Sequence, residues 1–188
     1  LLYRRDWRRI EIHNHKIFMP YIGRFAPSPT GPLHFGSLLT AVASYCDAKA
    51  NHGKWLVRIE DTDIPRIYPN SENHIRSCID AFEFEPDAEI ICQKDRLEIY
   101  EQVLEQLKQI QAVYACQCTR KMLGSNHIYV GTCRDLHLDF NDQAIRLKVA
   151  DQLICFEDRL QGQQSSNLKH DLGDFVLKRR DGIMSYQL

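Results

Sequence analysis

The stretch Arg24-Phe25-Ala26-Pro27-Ser28-Pro29-Thr30-Gly31-Pro32-Leu33-His34-Phe35-Gly36-Ser37 decides how the rest of the chain reads. Three prolines and a glycine within residues 26–32 forbid a helix there and fix the path of the chain. Before this loop, Tyr21-Ile22-Gly23-Arg24-Phe25 has the character of a strand. After it, the spacing predicts a helix from Phe35 to Asn51, with Leu38, Leu39, Val42, Ala43 and Cys46 on one face and Gly53 as its stop. Lys54–Glu60 then reads as a second strand, closed by the acidic turn Asp61-Thr62-Asp63. Strand, helix and strand within about 40 residues make a βαβ unit, which implies a parallel sheet.

Further along, residues 71–84 form a predicted helix using Ile75, Ile79 and Phe82. Another is expected over Asp95–Gln111, opened by Asp95 with Glu98 three residues on, in the manner of a capping box. Its core stripe is Leu97, Tyr100, Leu104 and Leu107. From 112 to 140 the pattern breaks into short pieces rich in Cys, His, Gly and Tyr, as expected of an insert held by something other than a core. Ala144–Val149 and Leu153–Asp158 read as strands of one hairpin-like element, and Gln161–Asn167 as a polar loop. Asp174–Lys178 and Ile183–Leu188 read as strands around the turn Arg180-Asp181-Gly182.

The 188 residues leave room for one domain, or one domain with an insert. Their composition, 44% hydrophobic and 26% charged, excludes a disordered, collagenous or coiled-coil chain. Net charge is −1, but residues 1–18 carry Arg4, Arg5, Arg8, Arg9 and Lys16 against Asp6 and Glu11. That tail is read as a basic extension ahead of Met19, outside the fold, with a docking arm as the alternative. Bulk charge does not demand a nucleic-acid partner, so any such site must be a local basic patch. Seven cysteines without an export signal fit a cytoplasmic protein with reduced thiols. Cys46, Cys78, Cys92 and Cys155 stand singly and read as core residues.

The chemistry concentrates in two places. At the loop–helix junction, His34, Gly36 and Ser37 meet a helix N-terminus, whose free N–H groups suit a phosphate. Gly36 leaves room for a flat base, and His34 can donate to a phosphate oxygen, or simply cap the helix. Arg24 has the fork that binds a carboxylate, or is a strand-end surface residue. Glu60, Asp61 and Asp63 are ligand groups or a solvated acidic turn. In the second place, Cys116-x-Cys118 and Cys133 put three thiols within 18 residues. That pattern fits either a structural zinc, which takes four ligands, or buried thiols.

The string from Arg24 to Ser37 resembles the opening strand and HIGH signature of class I aminoacyl-tRNA synthetases, specifically the glutamate branch. Arg58-Ile59-Glu60-Asp61-Thr62-Asp63-x-x-Arg66 is similar to that branch's second strand and turn. Asp174-Phe175-Val176-Leu177 and Arg180-Asp181-Gly182-x-x-x-Tyr186 follow in the right order. Ordinary glutamyl-tRNA synthetases continue with Gly-Gly-Ala-Arg-Thr-Ala, where Gly36-Ser37-Leu38-Leu39-Thr40-Ala41 stands here. Ser37 in place of the signature's second His, and the Cys insert, resemble the short paralogous family of glutamyl-queuosine tRNA(Asp) synthetases.

The resemblance implies an α/β, Rossmann-like class I catalytic domain with a parallel sheet and a small zinc-binding insert. The first half of the fold would occupy 19–111 and the insert 112–140. Residues 141–188 would hold the remainder of the insert and the start of a second half that is cut short. It implies ATP-dependent, tRNA-independent activation of glutamate to glutamyl-adenylate, with magnesium accompanying ATP. Glutamate would then pass to the queuosine base in the anticodon of tRNA(Asp). By position, Arg24, Phe25, Ala26, Pro27 and Ser28 would line the glutamate site, Glu60 would hold the α-ammonium and Tyr186 would complete the pocket. His34, Gly36 and Ser37 would serve the α-phosphate. Cys116, Cys118, Tyr129 and Cys133 would bind one zinc, with His127 or His137 as substitutes for the tyrosine. Asp61 and Asp63 stay open as a magnesium site. Arg134, Arg146, Lys178, Arg179 and Arg180 are candidate RNA contacts. Lys121-Met122-Leu123-Gly124-Ser125 is only superficially similar to the family's lysine loop, which is expected beyond Leu188. The chain is therefore expected to be an incomplete version of a monomeric, cytoplasmic ligase. Two rivals are a fragment of an ordinary glutamyl-tRNA synthetase and a non-catalytic, zinc-stabilised tRNA-binding module.

Overall fold

The computed structural model describes residues 21–123 and 128–188. The extension read at 1–18 and the candidate ligand His127 lie outside them. β1 (Ile22–Phe25), α1 (Phe35–Ala50) and β2 (Lys54–Ile59) form the expected βαβ unit, with β1 and β2 parallel and Gly23 opposite Trp55. β3 (Ile91–Cys92) joins β2 in parallel, giving the order β1-β2-β3. α2 (Ser71–Ala81) packs Ile75 and Ile79 into the same core as Phe25, Trp55, Val57 and Ile59. Trp55 is wholly buried, stacked on Phe25 at 6.2 Å between ring centres, and donates its indole N–H to Ser44 Oγ at 3.0 Å.

The predicted apolar stripe of α1 is not the buried one. Ala41 and Ala48 are buried, with Ser44 between them, whereas Leu39 and Val42 are exposed and so is Cys46. The helix lies so close to β1 that a Cβ on Gly23 would meet the Ser44 carbonyl at 2.9 Å and Ala48 Cβ at 3.0 Å. Small residues are what that separation admits. Cys155 is likewise exposed and Cys78 half-buried, so of the four single cysteines only Cys92 is a core residue.

A 3₁₀ turn, Gln93–Arg96, leads into α3 (Leu97–Gln109). No side chain caps α3, so the capping box read at Asp95 does not form. The preceding 3₁₀ turn is instead anchored from outside: the buried Asp61 carboxylate accepts from the Lys94 amide at 2.8 Å and pairs with its ammonium at 3.3 Å. α3 turns Leu97, Tyr100, Leu104 and Leu107 onto a second, antiparallel sheet in the order β4-β5-β8. Its strands are β4 (Val113–Cys116), β5 (Ala144–Leu147) and β8 (Val176–Lys178). β4, fully buried, falls where the sequence reads as irregular. A four-residue helix α4 (Arg120–Leu123) follows β4. β6 (Leu153–Asp158) pairs with β7 (Gly162–Asn167), not with β5, so the segment read as a polar loop is a strand. β5 ends because the Val149 amide is taken by Asp174 Oδ1 at 2.9 Å and its carbonyl by Arg134, which turns the chain away. A short helix α5 (Leu168–Asp171) leads back to β8.

Glu72, in the first turn of α2, accepts from Lys94 at 2.8 Å and from Arg76 at 3.0 Å. Lys94 first, then Arg76, hold its carboxyl at about 2 against an ordinary 4.5. A depressed folded value means this stabilisation is complete above pH 4.5 and drains away as pH falls towards 2. Glu72→Gln is expected to flatten the stability–pH curve over that window in a urea titration series. An acid limb as steep as that of the parent would contradict it.

Candidate active site and metal centre

Parallel strands release the chain at their carboxyl ends, where ligands of such sheets bind. β1 ends at Phe25 and β2 at Ile59, so Ala26–His34 and Glu60 emerge side by side. The proline loop is strapped in place by its carbonyls: Pro27 accepts from the Glu60 amide at 2.9 Å, and Pro29 from the Tyr68 amide at 2.9 Å and Ser71 Oγ at 2.6 Å. Prolines suit this because they offer acceptors and leave no amide N–H to satisfy.

The loop and the start of α1 enclose a cavity of about 700 Å³, lined by Arg24 through Ser28 and by His34, Gly36 and Ser37. His34 is the N-cap of α1, and its Nδ1 accepts from the Ser37 amide at 3.2 Å. That bond puts the ring proton of neutral His34 on Nε2, which is then a donor. The capping reading of His34 holds, and the residue also lines the cavity, which leaves the phosphate reading open. A Cβ on Gly36 would lie 3.0 Å from His34 Cε1, so glycine leaves room for the imidazole rather than only for a ligand. The first turn carries no acidic side chain to cancel the positive end of the helix.

Glu60 and Tyr186 lie in an adjoining cavity of about 320 Å³ that shares Ser28 and Thr30 with the first. Glu60 pairs with Arg58 at 2.6 Å, and Tyr186 is 79% exposed. The two acidic residues left open by the sequence hold different cations. Asp61 is buried under Lys94, while Asp63 receives Arg179 at 3.1 Å across 116 residues of chain. Each carboxylate thus already has a cation beside it, Lys94 shared with Glu72 and Arg179 shared with Asp181, and the two do not converge on one site.

Cys116, Cys118 and Cys133 converge at the edge of the antiparallel sheet. The Tyr129 hydroxyl lies 3.4 Å from Cys116 Sγ and 3.5 Å from Cys118 Sγ, and Cys118 and Cys133 sulfurs are 3.5 Å apart. Zinc bonds of about 2.3 Å to sulfur and 2.0–2.2 Å to oxygen, at tetrahedral angles, separate ligand atoms by roughly 3.5–3.8 Å. The four donors therefore fit a tetrahedral metal. His137 is exposed and outside this cluster, so it is not the fourth donor. Tyr129 is held by Gly173, whose φ of +72° and close approach to the Tyr129 backbone exclude a side chain.

Burial, and then the surrounding thiols, push the Tyr129 hydroxyl far above its ordinary range. Arg146 is buried, donates to Cys116 Sγ at 3.2 Å and stacks on the Tyr129 ring at 3.9 Å. Such a guanidinium offsets the negative charge of thiolate ligands. Its other end reaches the Asp174 carbonyl at 2.6 Å. The Asp174 carboxylate in turn accepts from Tyr114, Arg134 and the Val149 amide. Burial alone would raise that carboxyl; these three donors outweigh it and hold it below the ordinary range. Arg134 and Arg146 are thus internal struts, and their reading as RNA contacts is withdrawn. Nothing in the spacing of residues marks Arg146 or Asp174 as partners of the cysteines; the pairing arises from the sheet.

The profile described as "tRNA synthetases class I (E and Q), catalytic domain" matches residues 22–188. The chain is 77% identical over 168 residues to the glutamyl-Q tRNA(Asp) synthetase of Acinetobacter baylyi, covering 89% of this chain and 58% of that protein. It is 48% identical over 179 residues to the protein of the same name from Dechloromonas aromatica, covering 90% and 60% respectively. It thus spans somewhat under two thirds of these relatives. A glutamate tRNA ligase from Elizabethkingia meningosepticum, solved in complex with its amino acid, superposes with a TM-score of 0.74 at 30% identity, over 89% of this chain and 40% of that one. The α/β fold, the strapped proline loop and the profile agree over the same residues, and the chain belongs to the class I tRNA synthetase family of the glutamate and glutamine branch (E and Q).

Proposed function

We propose that the protein carrying this chain activates glutamate with ATP and transfers it to the queuosine base in the anticodon of tRNA(Asp). The observation that carries this reading is the pair of adjoining cavities at the carboxyl ends of β1 and β2. One has an arginine fork and a helix N-terminus, the other a carboxylate and a phenol. Arg24 binds a glutamate carboxylate, Glu60 turns from Arg58 to the α-ammonium, and Tyr186 closes the site. His34 Nε2 and the Phe35 and Gly36 amides face the α-phosphate, with magnesium held on the ATP phosphates.

In the first step the glutamate α-carboxylate oxygen attacks the α-phosphorus and pyrophosphate leaves with the bonding electrons. Positioning and charge neutralisation are what such phosphoryl chemistry needs. In the second, a hydroxyl of the queuosine ring attacks the glutamyl carbonyl carbon. AMP leaves with the C–O electron pair, and the hydroxyl proton passes to its phosphate. Cys116, Cys118, Tyr129 and Cys133 would hold one structural zinc, which crosslinks the insert. High identity to glutamyl-Q relatives, against 30% to the glutamate tRNA ligase, favours the base over the 3′ end as acceptor.

Glutamate-dependent ATP–pyrophosphate exchange without tRNA tests the first step, and acylation of tRNA(Asp) with and without queuosine tests the second. Arg24→Ala is expected to lower exchange by about 10²–10³, the scale of losing a charge-stabilising contact. Exchange indifferent to Arg24→Ala would overturn the pocket assignment. Equal charging of both tRNAs would overturn the acceptor, and RNA binding without exchange would leave a binding module.

A further inference from the structure

A third cavity, of about 610 Å³, opens between the metal cluster and the Arg180-Asp181-Gly182 turn. It shares two wall residues, Arg179 and Ser185, with the cavity that holds Glu60 and Tyr186. Its floor is apolar, made by Leu123, Ala144 and Val176. Among its lining residues three guanidinium groups, Arg146, Arg179 and Arg180, face a single carboxylate, Asp181. Arg146 is committed to Cys116 and the Asp174 carbonyl, and Arg179 to Asp63 and Asp181. Arg180 is exposed and donates one Nη to Gln143 at 2.7 Å, which fixes its plane and leaves further donors for a ligand.

We propose that this chamber receives the acceptor nucleotide of the RNA, its base on the apolar floor and its phosphodiester on Arg180. The inference rests on the proposed transfer to an RNA base. A flat, partly apolar ring carrying an anionic backbone is the ligand that matches such a lining; proteins read unpaired bases by stacking on apolar and guanidinium surfaces. The volume lies within the ordinary range of ligand pockets, roughly 300–1,000 Å³. The shared wall puts an acceptor in this chamber beside the cavity proposed for the α-ammonium of glutamate, on the side from which the second step would be reached. Cys118 also lines the chamber, so the metal centre shapes the RNA side of the active site rather than the nucleotide side.

Two variants test this: Arg180→Ala removes the phosphate contact, and Ala144→Phe fills the chamber. Binding of the unmodified anticodon stem-loop RNA of tRNA(Asp) by the 188-residue chain is followed by fluorescence anisotropy across a salt series. Each variant is expected to raise Kd about tenfold, and Arg180→Ala to reduce the slope of log Kd against log salt by about one. Glutamate-dependent exchange, measured in parallel, is expected to match the parent. RNA affinities within about twofold of the parent for both variants would overturn the chamber, even with exchange intact. Weakened RNA binding by both variants supports the chamber whether or not the 188-residue chain itself shows exchange, because the activation reading is tested separately on the protein carrying this chain.

Discussion

Asp174→Ala is expected to cost about 4 kcal/mol of stability, because one buried carboxylate satisfies three separate parts of the chain. Asp174 is 2% exposed and accepts from Tyr114 Oη at 2.7 Å, Arg134 Nε at 3.0 Å and the Val149 amide at 2.9 Å. These groups sit in β4, in the segment between Tyr129 and β5, and in the turn after β5. Removing the carboxylate strands a buried phenol and a buried amide, each worth about 1–3 kcal/mol when left unpaired. Arg134 is 31% exposed and recovers part of its loss from water, which keeps the total towards the lower end for a broken buried pair. The expected fall in Tm is roughly 10 °C by circular dichroism. Asp174→Asn keeps an acceptor but not the charge, and should fall about halfway. The exposed Asp135→Ala should stay within about 0.5 kcal/mol of the parent. A fall under about 3 °C for Asp174→Ala would mean that the network is incidental.

The parts of this molecule legible in the sequence are those whose physics is local. Three prolines between a strand and a helix can be read without knowing what surrounds them, and the βαβ unit follows. The α3 stripe was legible because Leu97, Tyr100, Leu104 and Leu107 do face the core, Leu104 buried and the others partly so, although the apolar Ile99 and Val103 of the same helix stay exposed. On α1 the two sets part: Leu39 and Val42 are the apolar choice, yet the sheet takes Ala41, Ser44 and Ala48, since Gly23 draws the helix too close for larger residues. Gln163-Gln164-Ser165-Ser166 has no strand propensity of its own and is a strand only through its register with Ile154–Glu157.

The candidate site divides in the same way. His34, Gly36 and the thiols announce themselves by type and spacing. The hydroxyl of Tyr129 is brought beside the three thiols, with a backbone bridge to Gly173, 44 positions on, holding the residue, and the family resemblance rather than the spacing pointed to it. Arg146 reads as a surface charge on a strand, because nothing adjacent to it reveals the cluster that buries it. The predicted cap at Asp95 does not form because the chain enters α3 through the 3₁₀ turn Gln93–Arg96, which puts the N-cap at Arg96.

Withdrawal of the proposed zinc is expected to unfold the insert and the antiparallel sheet while sparing the parallel unit. Tyr114, Cys116, Tyr129 and Cys133 form a core of their own, separate from the Trp55 core. Apparent binding free energies of about 10–16 kcal/mol for structural zinc are large beside the roughly 1.5–3 kcal/mol that burying one large side chain contributes. Without the ion, Arg146 no longer faces a metal-held Cys116 thiolate. A buried guanidinium left with one carbonyl partner is then a net cost, and it reaches β5 directly. Amide hydrogen exchange should therefore show protection lost in β4, at 129–134 and in β5 after chelation, with β1 and β2 retaining theirs. Cys116→Ser should reproduce the pattern and lower the bound zinc from about one per chain to near zero. Protection unchanged in a chelated protein shown to be free of metal would sink the idea, since the thiols would then be packing as ordinary core side chains.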